Sequence, residues 1–403
     1  MIELLIYVVG ILLAFYMAWG MGANDAANPT EYAVGAGAIS MRKAIILFAI
    51  FAAAGGILLG PLVMKTVDRG LVPREQLSLE TVVVGSFTAT LSACIWVTFC
   101  TWRGMPISTS HSAVAGVLGF GVIACFPLLK WDVLGTVFFS FIASPFLALL
   151  LAVGLFYFFR AYFRKTRKER SNFAMIYFLI YILCFGISFT IFKQILNLAL
   201  IETTVGAIFA SLILSTLATF VFRKMYGKFE TEHSLSYLIV IALCFSAFAF
   251  GSNDMANAIG VFITPTEKLI GEPTNVTMLA LALLGAAGIA LGAFTWGYKV
   301  INVSAYQVTR LDLLSGTAAG YSNAITVLIF TVIPYFLIGF GMPISTTQSA
   351  IGALIGVGLA MKGLTGIDKK TTSKIIVYWL LTIPCVILLS MSLFWLFSHV
   401  VGI

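Results

Sequence analysis

The chain contains little charge. Only 10% of its 403 residues are Asp, Glu, Lys or Arg, whereas 60% are hydrophobic. Soluble domains carry about 25% charged residues, and a chain of this length folded in water would need a charged surface that this sequence cannot supply. The six cysteines lie in apolar runs without CxxC or metal-type spacing, so they indicate neither a disulfide framework nor a zinc site. The composition therefore excludes a soluble domain and indicates a polytopic membrane protein.

Long apolar runs take the place of a charged surface. A helix needs about 20 apolar residues to cross the bilayer core, and this template predicts an all-α polytopic membrane protein with about 12 transmembrane segments. Two of the segments are rich in Gly, Ser and Thr, and each could instead be a re-entrant hairpin, at 105–126 and 343–361. The predicted segments cover residues 2–22, 44–64, 81–101, 105–126, 132–159, 173–197, 203–222, 234–251, 276–298, 322–340, 343–361 and 373–401.

The basic residues are distributed unevenly between the predicted loops. When all segments cross, most of the 24 Lys and Arg residues fall on one side of the membrane. Basic loops remain on the cytoplasmic side, so both termini are predicted to lie outside. The net charge of +8 then reflects the orientation of the chain and indicates no nucleic-acid partner.

Two short motifs occur twice in the same order. Gly22–Asn28 (GANDAAN) recurs as Gly251–Asn257 (GSNDMAN), and Gly104–Ser112 (GMPISTSHS) recurs as Gly341–Ser349 (GMPISTTQS). The offsets of 229 and 237 residues are nearly equal, which indicates a duplicated half. An odd number of crossings separates the copies, so they enter from opposite sides, as in the inverted repeats of secondary transporters. The predicted organisation is a first repeat at 1–159, connecting segments with a basic loop at 160–233, and a second repeat at 234–403.

The first motif predicts a cation site in each half. A carboxylate within an apolar segment is costly and therefore suggests a function. Asp25 and Asp254 each lie between two asparagines, an oxygen-rich set that suits a hard cation, and the single charge favours a monovalent one. Capping of a turn is the alternative, and the second copy argues against it. Gly22, Gly251 and Pro29 are predicted to let the helices break here. The predicted cation-binding residues are Asn24, Asp25, Asn28, Asn253, Asp254 and Asn257.

The second motif predicts an anion site. Pro106 and Pro343 suit the first turn of a helix, and hydroxyls follow each of them. A helix N-terminus offers unpaired N–H groups and a partial positive charge, so two such ends together would bind an anion without Lys or Arg. Close helix packing through small residues is the alternative. His111, at the position of Gln348, is predicted to donate a hydrogen bond rather than to relay a proton. The predicted anion-binding residues are Ser108, Thr109, Ser110, His111, Ser345, Thr346, Thr347 and Gln348.

With these duplicated motifs the sequence resembles the inorganic phosphate transporter (PiT) family of cation-coupled phosphate permeases, over about residues 1–130 and 235–400. The resemblance implies a transporter of inorganic phosphate that is coupled to sodium ions or protons. The leading hypothesis is a secondary symporter that imports phosphate with two sodium ions by alternating access and needs no cofactor. The resemblance places sodium at Asp25, Asn28, Asp254 and Asn257, and phosphate at the hydroxyls after the prolines. It also implies a multi-pass protein of the lipid bilayer, and the short connector suggests a prokaryotic plasma membrane. A homodimer is left open.

The sequence departs from the family pattern at two places. The first copy continues Pro29-Thr30-Glu31 where an Ala-Phe-Gly ending is more usual, and Gln348 replaces a common histidine. Proton-coupled transport of phosphate or sulfate therefore stays open, as does a passive anion channel, which would not need paired carboxylates. An intramembrane hydrolase built on Ser110, His111 and Asp25 is disfavoured, because both motifs are duplicated and the second copy lacks the histidine.

Overall fold

The computed structural model describes residues 2–60, 63, 70–165, 169–196, 198–226, 231–271, 274–338 and 341–402. Parts of the predicted segments 44–64, 173–197 and 322–340 lie outside these residues. So do five of the basic loop residues from which the orientation was predicted, Lys65, Arg69, Arg167, Lys168 and Lys228. The described residues form helices and no β-strand. The α-helices are α1 (Ile2–Asp25), α2 (Ala27–Gly35), α3 (Met41–Leu59), α4 (Leu79–Trp102), α5 (Thr109–Cys125), α6 (Trp131–Lys165), α7 (Glu169–Thr190), α8 (Leu200–Tyr226), α9 (Thr231–Ile259), α10 (Ile263–Ile270), α11 (Asn275–Thr295), α12 (Gly297–Gln307), α13 (Leu313–Ile338), α14 (Thr346–Lys362) and α15 (Lys369–Val401).

The described residues contain 12 helical stretches that are long and apolar enough to cross a membrane, and these correspond one to one to the predicted segments. The fold prediction is therefore confirmed, although three bounds differ. The first stretch runs on to Gly35, the eighth runs on to Leu269, and the tenth begins already at Leu313. The predicted segments stopped where polar residues began, whereas the protein buries those residues within helices, which pair their backbone groups.

The two segments for which a hairpin was considered each contain one uninterrupted helix. Both α5 and α14 have 17 residues and follow an extended stretch, at 105–108 and 341–345. Neither segment reverses direction as a re-entrant hairpin would.

Helices of the two repeats pack on each other rather than forming separate units. In the first repeat α1 packs on α11 and α5 packs on α15, and the equivalent helices of the second repeat, α9 and α14, pack on α3 and α6. The two repeats therefore bury their motifs against one another. The connecting helices α7 and α8 pack mainly on each other.

Gly22 and Gly251 permit the closest of these contacts. A Cβ atom at Gly22 would lie 1.8 Å from the Ile289 carbonyl oxygen, and one at Gly251 would lie 1.9 Å from that of Ala52. Both glycines lie within continuous helices, α1 and α9. Both glycines serve close backbone packing. The predicted break is wrong for the motif of the second copy, whereas the first copy does break within its motif, between Asp25 and Ala27.

The helix breaks lie further along the chain. In the first repeat α1 ends at Asp25 and α2 begins at Ala27, with Pro29 in the first turn of α2, where a proline removes no intrahelical hydrogen bond. In the second repeat α9 continues through its motif to Ile259, and a short 3₁₀ turn at Gly260–Phe262 separates it from α10. The two copies of the motif therefore share their packing but not the position of the break.

Large apolar side chains cover the outer face of α6. Phe139, Ile142, Phe146 and Leu150 are exposed at intervals of three to four residues, whereas small residues such as Ala148 are buried on the opposite face. A stripe of this kind faces lipid, because water would not favour it.

Candidate cation and anion site

The two copies of the first motif lie at the centre of the protein, and the side chains of both are buried. Asn24 and Asp25 occupy the last turn of α1, and Asn253 and Asp254 lie in α9. All six residues that were predicted to bind cations are exposed by no more than 1%. The two aspartates are close enough to interact electrostatically. Because they belong to different repeats, the fold joins the two predicted sites in one cluster.

Asn24 and Asn253 hold the extended stretches of the second motif. The Asn24 amide nitrogen donates to the Thr101 hydroxyl at 2.9 Å and to the Met105 carbonyl at 3.0 Å, and its oxygen accepts the Ile107 N–H at 3.0 Å. In the second repeat the Asn253 amide makes the same three bonds. Its partners are the Thr331 hydroxyl at 2.9 Å, the Met342 carbonyl at 2.9 Å and the Ile344 N–H at 3.1 Å. These amides position backbone, a role that differs from the predicted cation binding.

Ser108 and Ser345 begin the two helices of the second motif. The Ser108 hydroxyl oxygen accepts the N–H of His111, and that of Ser345 accepts the N–H of Gln348, both at 3.1 Å. This is the N-cap arrangement, which stabilises a helix by about 1 kcal/mol. Pro106 and Pro343 precede these caps and lie in the extended stretches, so the prediction that they occupy a first turn is wrong.

The next hydroxyls bond the carboxylates of both repeats. Asp25 accepts a hydrogen bond from Thr109 at 2.5 Å and another from Thr347 at 3.0 Å. Asp254 accepts one from Ser110 at 2.9 Å. Consecutive hydroxyls in the first turn of α5 therefore serve different carboxylates, and each carboxylate has a hydroxyl partner from the opposite repeat. The Thr346 hydroxyl also interacts with Asp254.

Asn28 and Asn257 complete the cluster. The Asn28 amide donates to the hydroxyls of Thr346 at 3.3 Å and of Thr347 at 3.1 Å. The Asn257 amide donates to Ser110 at 2.9 Å and to Asp254 at 3.1 Å. Both predicted ligand sets, carboxylate with amide and the hydroxyls of the second motif, are thus in direct contact. None of these hydrogen bonds within the described cluster comes from a lysine or an arginine.

Several buried polar atoms of the cluster have no hydrogen-bond partner among the described residues. They are Asp254 Oδ2, Asn257 Oδ1, Gln348 Oε1 and both ring nitrogens of His111. The His111 ring packs on Phe141 with 4.0 Å between the centroids. Buried polar groups are normally satisfied, so this cluster can accept further ligands, and its oxygen atoms suit a hard cation.

Sequence reasoning missed Thr101 and Thr331, whose hydroxyls accept hydrogen bonds from the amides of Asn24 and Asn253. Thr101 precedes Pro106 by five residues, whereas Thr331 precedes Pro343 by twelve. Because the spacing differs between the copies, the repeat provides no signal for this pair. Among the described residues no group of three or more His, Cys, Asp or Glu could hold a metal ion, so the candidate sites depend on amide and hydroxyl oxygens.

Comparison with known proteins agrees with this architecture. The profile of the phosphate transporter family matches residues 21–390. A candidate phosphate permease of Pyrococcus abyssi is 33% identical over 95% of this chain and 96% of its own length, and one of Chlamydia muridarum is 33% identical over 97% and 98%. A solved structure of a sodium-dependent phosphate transporter is 30% identical, covers 98% of this chain and 99% of its own, and superposes with a TM-score of 0.88. The chain therefore belongs to the phosphate transporter family.

Proposed function

We propose that the protein is a secondary symporter that imports inorganic phosphate together with two sodium ions by alternating access. One cation would bind in each repeat, at Asp25 with Asn28 and at Asp254 with Asn257. The phosphate would bind at the first turns of α5 and α14. The protein would need no cofactor and would act as a transporter rather than as an enzyme.

One observation carries this proposal: the hydroxyls predicted to bind the anion donate to the carboxylates predicted to bind the cations. Thr109 and Thr347 donate to Asp25, and Ser110 donates to Asp254. A hydroxyl has one hydrogen and two acceptor lone pairs. When sodium binds a carboxylate, the hydroxyl oxygen can coordinate the ion and its hydrogen becomes available to a phosphate oxygen. Cation binding would therefore create donors for the anion.

The first turns of α5 and α14 supply the remaining attraction. A helix N-terminus offers backbone N–H donors and a partial positive charge. The unpartnered ring nitrogens of His111 can supply one further donor, because neutral imidazole carries one N–H. No described lysine or arginine bonds the cluster, so co-bound sodium ions would neutralise the phosphate charge. This dependence on the cations would couple the two fluxes.

One observation favours sodium over the alternatives: the similar solved structure is that of a sodium-dependent transporter. Proton-coupled transport of phosphate or sulfate remains the second candidate, because hydroxyls and helix ends recognise either oxyanion. A passive channel would have no use for two carboxylates bonded across the repeats. We further propose a prokaryotic plasma membrane location with both termini outside, on the distribution of basic loops. A homodimer would be its assembly if the protein oligomerises.

Uptake of labelled phosphate into liposomes that contain the purified protein tests the proposal. Uptake should require an inward sodium gradient and should resist competition by sulfate. If two sodium ions accompany monovalent phosphate, one net charge enters per cycle, and a potential of 100 mV should add about 2.3 kcal/mol of driving force. Phosphate uptake that ignores both sodium and the potential would refute the symport.

A further inference from the structure

Glu31 is a buried carboxylate that neither proposed cation site uses. It lies in α2 with none of its side chain exposed. Neither of its carboxylate oxygens has a hydrogen-bond partner among the residues that the structure describes. An ionised carboxylate without a partner is strongly unfavourable in apolar surroundings. The side chain must therefore be neutralised by a proton or by a bound cation.

The internal repeat gives no architectural reason for this residue. Gly260 occupies the position of Glu31 in the second copy, at the same offset of 229 residues as the rest of the motif. It belongs to the 3₁₀ turn that follows α9. The second copy therefore has no carboxylate at the position that corresponds to Glu31.

The immediate surroundings of Glu31 suit a proton better than a metal ion. The Ser304 hydroxyl of α12 and the Tyr32 phenol are the polar groups that interact with it. Ser304 already donates its hydrogen to the Val300 carbonyl at 3.1 Å. A hard cation takes about six or more oxygen ligands, whereas a proton needs only the carboxylate oxygen. Ser304 and Tyr32 are the side chains that interact with Glu31, and a proton needs no ligand beyond the carboxylate itself.

No ionised group compensates Glu31 from the helices around it. α2 packs against α1, α3, α9, α12, α13 and α14, and no described side chain on these helices forms a hydrogen bond with either Glu31 oxygen. Of the ionisable groups there, the neighbouring Tyr32 is the one that interacts with the carboxylate. The acidic and basic side chains described on these helices are Asp25, Arg42, Lys43, His233, Asp254, Lys299 and Lys362.

Glu31 lies between the central cluster and the protein surface. Asn28 precedes it by three residues in α2, so the two side chains share a helix face. Ser304 precedes Gln307 by three residues in α12, so these also share a face. Gln307 lines an open surface cavity of about 460 Å³, together with Arg310. Ser304 therefore connects Glu31 with the face of α12 that reaches this cavity.

We propose that Glu31 binds a proton during the transport cycle and forms a third cation site beside the two central carboxylates. The carboxylate takes the proton from water in the cavity lined by Gln307 and becomes a neutral carboxylic acid. Release reverses this step, so no further reactant is needed. That the proton binds and leaves during transport rests on the proposed symport. Whether the Glu31 carboxyl takes up a proton at all can be measured without transport.

Infrared difference spectroscopy of the full-length protein in liposomes, between alkaline and acidic pH, tests the site itself. On acidification the wild type should gain the carbonyl band of a protonated Glu31 carboxyl, and the spectrum of Glu31→Gln should lack this band. Glu31→Asp should keep this band at a shifted frequency, and Glu80→Gln, at an exposed position of α4, should keep it unchanged. A band that survives in Glu31→Gln, or that does not shift in Glu31→Asp, overturns the proposal. If Glu31→Gln does not fold, the shift in Glu31→Asp alone decides.

Phosphate uptake at saturating sodium tests the role of the proton in the cycle. The ratio of wild-type to Glu31→Gln uptake cancels the ionisation of phosphate, which both proteins share. This ratio should change by roughly tenfold per pH unit on one side of the Glu31 midpoint, because the two forms of one titrating group change by that factor. If the ratio is constant with pH and Glu31→Gln has a lower sodium cooperativity, the site binds sodium, and the proposal of proton binding is overturned. A wild type without phosphate uptake refutes the symport, and the infrared band then decides on the proton.

Discussion

The Thr347 hydroxyl of the second repeat lies 3.0 Å from the Asp25 carboxylate of the first and shares its single hydrogen with the Ile107 carbonyl, which is also 3.0 Å away. Ser110 of the first repeat makes the converse bond of 2.9 Å to Asp254 of the second. Each proposed cation site is therefore closed by a hydroxyl from the opposite repeat. A movement of one repeat against the other would have to break both bonds, which connects ion binding with a change of access.

Removing one of these hydroxyls should weaken sodium binding. Thr347→Val keeps nearly the same volume but loses the hydroxyl oxygen that would coordinate the sodium ion beside Asp25. A polar contact to a charged group contributes about 1.5–3 kcal/mol, so the apparent sodium affinity should fall by roughly ten- to a hundredfold. Sodium activation curves of phosphate uptake in liposomes measure this change. Thr216→Val, at an exposed position of α8, should leave the curve unaltered. An unaltered curve for Thr347→Val would remove Thr347 from the cation site.

Neutralising either central carboxylate should abolish coupled uptake. Asp25→Asn and Asp254→Asn preserve shape but remove the charge that would attract sodium, and both side chains are fully buried. Sodium-dependent phosphate uptake should fall at least about tenfold in each variant, because charged hydrogen-bond partners are lost as well. Asp132→Asn, at an exposed position in the first turn of α6, is the matched control. Phosphate flux that persists in both central variants would favour a passive channel instead.

Asn24 and Asn28 should differ in the property that they control. Asn24→Ala leaves the Ile107 N–H and the Met105 carbonyl without their partner, at about 1–3 kcal/mol for each buried group. Its main effect should be a lower melting temperature in detergent, whereas Asn28→Ala should mainly lower the sodium affinity. Asn302→Ala, exposed on α12, should change neither. If Asn24→Ala keeps its stability and loses sodium affinity, Asn24 is a cation ligand after all.

The sequence was sufficient to predict the membrane-spanning helices and the residues of the two motifs. Twelve apolar runs fix the helices, and the duplicated Asp25 and Asp254 indicate one cation site in each half, because local sequence carries both signals. The sequence was not sufficient to predict which group each polar side chain bonds. The amide of Asn24 satisfies backbone more than 80 residues away, a contact that depends on how α4 and α5 return to α1. Likewise, Gly22 indicates a break when seen alone and close packing once Ile289 lies beside it.

The closest helix contacts should not tolerate a methyl group. In Gly22→Ala the new Cβ would overlap the Ile289 carbonyl oxygen, with 1.8 Å between the two atoms. Overpacking of this kind costs about 1–3 kcal/mol, so the melting temperature and the yield of folded protein should fall. Gly154→Ala, where a Cβ meets open space on α6, should be neutral or slightly stabilising. Equal stability of the two variants would contradict the close approach of α1 and α11.

The proposed orientation predicts which surfaces an impermeant thiol reagent can reach. Glu80 lies in the first turn of α4 and Lys362 in the last turn of α14, and both are exposed. With both termini outside, Glu80→Cys should be labelled in intact cells, whereas Lys362→Cys should be labelled only after permeabilisation. The six native cysteines provide a low background, because they are buried or half-buried. Labelling in the reverse order would place both termini in the cytoplasm. Labelling of both variants in intact cells would contradict the placement of these helix ends on opposite sides of the membrane.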